Sequence, residues 1–217
     1  FGDTQLSTSS KFNSDIFTAL FTSAGAKQWV AQIGGKGNAF SAGLSTDSDG
    51  NAFVGFNFSD TISIQSDLIV AAPAAANFAI VKYNNEGGVE WYRMGSNNSG
   101  ITLTSLNTDA EGNTFAVGYF SGYISFGDIY IGSYDELDGF IAKINTSGIV
   151  EWLTTMPYLG NQSFHSVATG GNNELYVCGQ TNEPIPLNND TIPISGINST
   201  FIVRYTKDNG TLQWITP

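Results

Sequence analysis

Phe140-Ile-Ala-Lys-Ile144-Asn-Thr-Ser-Gly148-Ile-Val-Glu-Trp152 is the stretch that decides the fold. Phe140, Ala142 and Ile144 alternate with Ile141 and Lys143, the period of two that marks a strand. Asn145-Thr-Ser-Gly148 has the composition of a tight turn, and Ile149 to Thr154 reads as the returning strand. The unit is a β-hairpin carrying a tryptophan on its second arm.

The same unit recurs along the chain. The four tryptophans are Trp29, Trp91, Trp152 and Trp214, spaced 62, 61 and 62 residues apart, and each follows a glycine by four residues: Gly25, Gly87, Gly148 and Gly210. A second hairpin lies between these. Its copies are Thr46-Asp-Ser-Asp-Gly50-Asn51 and Thr108-Asp-Ala-Glu-Gly112-Asn113, with a degenerate third at Thr169-Gly-Gly-Asn-Asn173. Gly-Asn after an acidic residue signals a hairpin turn, because such turns need positive φ. A short apolar landmark links the two hairpins: Ile62-Ser-Ile64, Ile124-Ser-Phe126 and Ile185-Pro-Leu187. Phe1-Gly-Asp3 matches Phe126-Gly-Asp128, so the chain opens at this point of a repeat.

With strands a and b in the acidic hairpin and c and d in the tryptophan hairpin, the order is c-d, then a-b-c-d three times. Four antiparallel strands per repeat of about 62 residues, joined by short turns, predict an all-β fold of β-propeller blades. The expected spans are a half blade at 1–34 and blades at 35–96, 97–157 and 158–217. That is about three and a half blades, fewer than the 4 to 8 of an ordinary closed ring. The expectation is a segment of a larger propeller. A ring built from two chains, or an open stack capped by a partner, are the alternatives.

On these residues the chain resembles the SBBP family, the beta-propeller repeats of large secreted bacterial proteins. The carrying stretches are residues 140–152, Asp109-Ala-Glu-Gly-Asn-Thr-Phe-Ala-Val-Gly-Tyr-Phe-Ser-Gly122, and the opening Phe1-Gly-Asp-Thr-Gln-Leu-Ser-Thr-Ser9. The resemblance implies an extracellular or cell-surface location and a structural, adhesive or protein-interaction role. It carries no catalytic residues to transfer, and no cofactor is expected beyond the calcium weighed below. Gly-x-x-x-Trp is also similar to the tryptophan-docking motif of quinoprotein propellers. We read it as packing, a large aromatic covering the gap between neighbouring blades. One cysteine cannot supply the paired cysteines usual in such an enzyme.

Composition limits the function. Eight Lys+Arg against 19 Asp+Glu give a net charge of −11. That excludes nucleic acid, whose phosphates need a basic face, and adsorption to anionic membranes. No apolar run approaches the ~20 residues of a membrane span. Asp47, Asp49, Asp109 and Glu111 are oxygen-rich turn residues and so weak calcium candidates. The competing reading is local hydrogen bonding that closes the turn. His165, the single histidine, lacks a partnered Asp or Ser at a recognised spacing. Cys178 is expected to be a buried thiol on strand b of the last repeat. Asn57, Asn97, Asn145, Asn161, Asn189, Asn198 and Asn209 head Asn-x-Ser/Thr sequons, glycosylation acceptors in a eukaryotic host. Tyr119, Phe120, Tyr123 and Tyr130 suit either sheet packing or stacking on sugars. The expectation is therefore a non-enzymatic module whose partners are proteins, or further repeats of the same chain completing the propeller, with glycans in second place. The alternatives are a carbohydrate- or calcium-binding lectin-like propeller and, below it, a propeller enzyme of the quinoprotein or lyase kind.

Overall fold

The structure, a computed structural model, describes residues 5–8, 11, 13–65, 67–70, 76–97, 99–133, 136–156, 158–187, 190–193 and 198–217. The Phe1-Gly-Asp3 landmark lies outside them. Among the described residues there are twenty strands and no helix.

The first hairpin is β1 (Ile16–Phe21) with β2 (Lys27–Gly35). Three four-stranded antiparallel units follow. The first holds β3 (Ala39–Thr46), β4 (Ala52–Phe58), β7 (Ala76–Tyr83) and β8 (Val89–Asn97). The second holds β9 (Ile101–Thr108), β10 (Thr114–Phe120), β13 (Asp138–Ile144) and β14 (Val150–Thr155). The third holds β15 (Gln162–Thr169), β16 (Glu174–Thr181), β19 (Ser199–Thr206) and β20 (Leu212–Thr216). This all-β repeat is a β-propeller architecture, each unit a blade.

One connection differs from the expected short turns. The landmark between strands b and c is itself a hairpin: β5 (Thr61–Ile64) with β6 (Asp67–Val70), β11 (Tyr123–Phe126) with β12 (Ile129–Gly132), and β17 (Ile185–Leu187) with β18 (Asp190–Ile192). The first two leave their own blade and extend the sheet before it. β5 pairs with β2 in the register Ile33↔Ile64, and β11 pairs with β8 in the register Ile124↔Asn97. Strand d of one blade is thus paired by the blade that follows. β17 and β18 pair only with each other among the described residues.

The core lies between the blades. β4 and β7 are buried on both faces, and their alternation divides them between two clusters. Val54, Phe56, Phe58, Ala79, Val81 and Tyr83 pack towards Ile33, Ile62 and Ile64. Phe53, Phe78 and Ile80 point the other way, to Leu103, Phe126 and Phe140 of the next blade. A third cluster joins Phe115, Val117 and Ile141 to Phe164, Val177 and Phe201. A period-two strand with apolar residues on both faces belongs in a stack of sheets.

Candidate functional site

The junctions between blades hold the chain's most regular chemistry. Trp29 donates its indole N–H to the Asn85 carbonyl at 3.0 Å, Trp91 to Thr146 at 3.1 Å and Trp152 to Lys207 at 3.1 Å. Each acceptor lies in the c–d turn of the following blade. The turn glycine sits against the ring: a Cβ on Gly87 would stand 2.7 Å from Trp29, on Gly148 2.8 Å from Trp91, and on Gly210 2.9 Å from Trp152. These glycines are needed twice, for φ of +65° to +86° and for close approach to the indole. Sequence reasoning placed Gly and Trp in one hairpin. In space each Gly meets the Trp of the preceding blade.

Three of the indoles also meet an aromatic ring of their own blade. Phe53 lies 5.9 Å from Trp91, Phe115 6.1 Å from Trp152 and Tyr176 6.0 Å from Trp214, at the same repeat position each time.

Side chains also stitch the blades together along strand a. Asn57 clamps Leu103, donating Nδ2–H to its carbonyl and accepting its N–H at Oδ1, both at 2.8 Å. Thr104 donates its hydroxyl to the Phe164 carbonyl at 2.7 Å. Asn107 Oδ1 accepts from Thr169 N at 3.3 Å and its hydroxyl at 2.7 Å, and Ser45 Oγ accepts from Thr108 N.

The acidic turns are bonded inward. Asp47 Oδ1 accepts from the N–H of Asp49 and of Asn51, both at 3.0 Å, and Oδ2 from Asn51 Nδ2 at 2.8 Å. Asp109, buried, accepts from Asn113 N at 2.8 Å and from its Nδ2, while Lys207 Nζ lies 3.6 Å away. Among the described residues, no three His, Cys, Asp or Glu side chains converge as a metal site would require. Asp47, Asp49, Asp109 and Glu111 form no such group.

His165 is exposed at a β-bulge between Phe164 and Ser166, and its Nε2 is 3.0 Å from Ser163 Oγ. Ala42 and Thr104 occupy the same bulge in the other blades, where the register skips from Ser41 to Gly43 and from Leu103 to Ser105. Cys178 corrects an expectation: the thiol is exposed. It lies on the face of β16 that no further blade covers among the described residues. Its counterpart Val117 is fully buried by the blade that follows it.

The sequons separate by geometry. Asn57 is held by Leu103 as above, and Asn97 is buried with Nδ2 donating to the Ser121 carbonyl at 2.7 Å. Asn145 caps its own turn, accepting from Ser147 and Ile149 N–H, and Asn209 Oδ1 accepts from Thr211. Asn161 is partly buried and Asn198 exposed. Asn189 lies outside the described residues. The aromatic group divides too. Phe120 is core, Tyr119 is half-buried, and Tyr123 and Tyr130 are 54% and 65% exposed, their rings stacked at 5.1 Å and 8°.

One strand lacks, among the described residues, a pairing that its counterparts in the three blades have. Strand c is paired on both sides in all three blades, by β4 and β8, by β10 and β14, and by β16 and β20. Its counterpart β1 is paired only by β2 among the described residues. A groove of about 370 Å³ runs along it, lined by Ile16 to Ala19 on one side and by Ser41 to Leu44 and Val54 on the other.

The beta-propeller repeat family, SBBP, matches residues 28–55, from β2 into β4, in agreement with the resemblance. An uncharacterized WD repeat-containing protein of Acanthamoeba polyphaga mimivirus is 26% identical over 179 residues, covering 74% of this chain. The chain spans 13% of that relative's length. A crystal structure of a protein of unknown function from Bacteroides caccae superposes with a TM-score of 0.36 at 10% identity, over 89% of this chain and 65% of that one. The chain is a repeat propeller.

Proposed function

We propose that this propeller is a non-enzymatic interaction module of an extracellular or cell-surface protein, holding a protein partner or further repeats of its own kind. The observation that carries the reading is the single-sided pairing of β1 among the described residues. A strand edge next to a groove is a template for strand addition, in which main-chain hydrogen bonds give affinity and alternate side chains give specificity. The three blades define the occupant's chemistry: an a–b hairpin with large apolar residues alternating on its second strand, as in Ala52-Phe-Val-Gly-Phe-Asn-Phe58. Asp47, Asp109 and His165 are engaged in local hydrogen bonds, which supports the non-enzymatic part. The low charge content and Asn/Ser/Thr-rich composition support the extracellular part.

A peptide of residues 39–58, added in trans and followed by amide hydrogen exchange, tests this. Protection of the β1 amides with little change elsewhere is expected. No protection of residues 16–21 at millimolar peptide would overturn the reading.

A second reading rests on the exposed Tyr123–Tyr130 stack, whose outer ring faces suit stacking on a sugar. A glycan array on the intact chain and on Tyr130→Ala tests it. Binding lost in the variant supports a lectin-like role; no binding by either removes it.

A further inference from the structure

A cleft of about 670 Å³ opens beside β8. It is lined by Gln65 of the β5–β6 turn, by Glu90, Trp91 and Arg93 of β8, and by Ser147 of the c–d turn of the following blade. Two of these residues depart from the repeat. Arg93 pairs with Ile80, and the residues at that register in the other d strands are Ala31, Thr154 and Thr216. A small residue suffices there for the sheet, so blade packing does not account for a guanidinium. Gln65 has φ +51° at the first position of its two-residue turn, where the turn between β11 and β12 has Gly127 at +61°. That region favours glycine, so the backbone gains nothing from a side chain at this position.

Arg93 is held in place without being neutralised. Its guanidinium carbon lies 6.0 Å from the Trp91 ring centre, and Nη1–H donates to the Tyr92 carbonyl at 2.7 Å. Trp91 is fixed in turn by its bond to Thr146. Lys82, Lys143, Arg204 and Lys207 each face a carboxylate, whereas Arg93 makes no ion pair among the described residues. Glu90, the carboxylate of the cleft, is paired with Lys82 at 2.8 Å. Gln65 Nε2–H donates to the Gly87 carbonyl at 2.8 Å, and among the described residues its Oε1 is left to accept. Ser147 is exposed and adds a hydroxyl.

We propose that this cleft binds a sugar acid, a hexuronate with one carboxylate. The carboxylate takes the guanidinium fork of Arg93, whose planar donors match two oxygens at once. Gln65 Oε1 and the Ser147 hydroxyl take the ring hydroxyls. The volume is that of a small-molecule site, and the convergent polar groups suit a hydroxylated ligand better than an apolar one. A net charge of −11 repels polyanions at long range, so a single carboxylate on an otherwise neutral ring is favoured over a sulfated polymer.

Two-dimensional NMR of the intact chain, titrated with sodium glucuronate, glucose or sodium acetate, tests it at the Arg93 Nε–H and Gln65 Nε2–H signals. Glucuronate is expected to shift both and to saturate, with glucose and acetate about tenfold weaker or more. Arg93→Thr and Gln65→Gly carry what other blades carry at these positions, so both keep the fold, which an unchanged circular dichroism melt checks. Arg93→Thr is expected to lose about 10- to 100-fold in affinity and Gln65→Gly about two- to tenfold. No saturable shift at tens of millimolar glucuronate, acetate or glucose binding as tightly as glucuronate, or undiminished affinity in Arg93→Thr would each overturn the proposal. Saturation by acetyl-Gly-Asp-Gly-amide in place of glucuronate would also overturn it and assign the cleft to an acidic peptide. The lining includes neither β1 nor the Tyr123–Tyr130 pair, so this inference and the readings above fail separately.

Discussion

Gly148 lies so close to Trp91 that a methyl group on it would stand 2.8 Å from the indole Cγ, although the two residues belong to different blades. Gly25 has nearly the same φ and open space in place of the indole. The pair separates two costs of losing a turn glycine. Gly25→Ala carries only the left-handed backbone cost of about 1–2 kcal/mol. Gly148→Ala adds displacement of Trp91 and is expected to cost about 3 kcal/mol or more. Urea unfolding of the two variants measures the difference; equal midpoints would refute the docking geometry.

Trp91 is the most buried of the four tryptophans whose junctions the repeat defines. Trp91→Phe removes the bond to the Thr146 carbonyl and part of the ring, for an expected loss of about 1–2 kcal/mol. Trp91→Ala leaves a hole between two blades and is expected to lose about 3–5 kcal/mol. Because the residue belongs to a cluster spanning both blades, the loss should appear as one cooperative transition. A first transition confined to the third blade would contradict that.

The strand pattern, the turns and the repeat length were legible in the sequence because each is local: alternation, Asn-Gly chemistry and an even tryptophan spacing. Which copy touches which was not. Periodicity places Gly148 and Trp152 four residues apart and cannot say that Gly148 packs on Trp91. The landmarks at Ile62 and Ile124 were visible, but three alternating residues are too few to show a strand given to the preceding sheet. The same limit explains Cys178. Its strand alternates as β10 does, and the thiol is exposed because no blade among the described residues covers that face.

Cys178 accordingly reacts in the folded state. Dilute native protein is expected to give one equivalent of thiol to Ellman's reagent at nearly the rate of the unfolded chain. Cys178→Ser is expected to change stability by less than about 0.5 kcal/mol, as at other exposed positions. Thiol release only on unfolding would show the face to be covered.

The acidic turns divide in the same way between local and inter-blade duty. Asp47 serves its own turn, while Asp109 also faces Lys207 of the third blade. Asp109→Asn keeps a turn acceptor and loses the ion pair, for about 1 kcal/mol, and Asp109→Ala loses both, for about 2–3 kcal/mol. Since these carboxylates already accept hydrogen bonds, millimolar calcium is expected to leave the melting temperature unchanged. A rise of several degrees, abolished by a chelator, would assign the turns a metal.

Glu151 provides the acid-side prediction. The hydrogen bond from Lys143 holds its carboxyl below the usual carboxylate range, with a smaller contribution from Asn145, against a modest desolvation cost. A group whose folded pKa is depressed contributes stability above its unfolded pKa and loses it as pH falls through the folded value. The carboxylate is more than one-third exposed, so solvent screening keeps the contribution small, about 0.2–1 kcal/mol. Glu151→Gln is therefore expected to lower stability by about 0.5 kcal/mol at neutral pH. The difference should shrink towards zero below the carboxylate range and fall in high salt. Lys82 and Glu90 form the equivalent pair one blade earlier, at the same 2.8 Å. Urea unfolding of Glu151→Gln and the intact chain at three pH values reads this directly, and a difference that persists unchanged at acid pH would show that the glutamate acts through packing of its stem and not through charge.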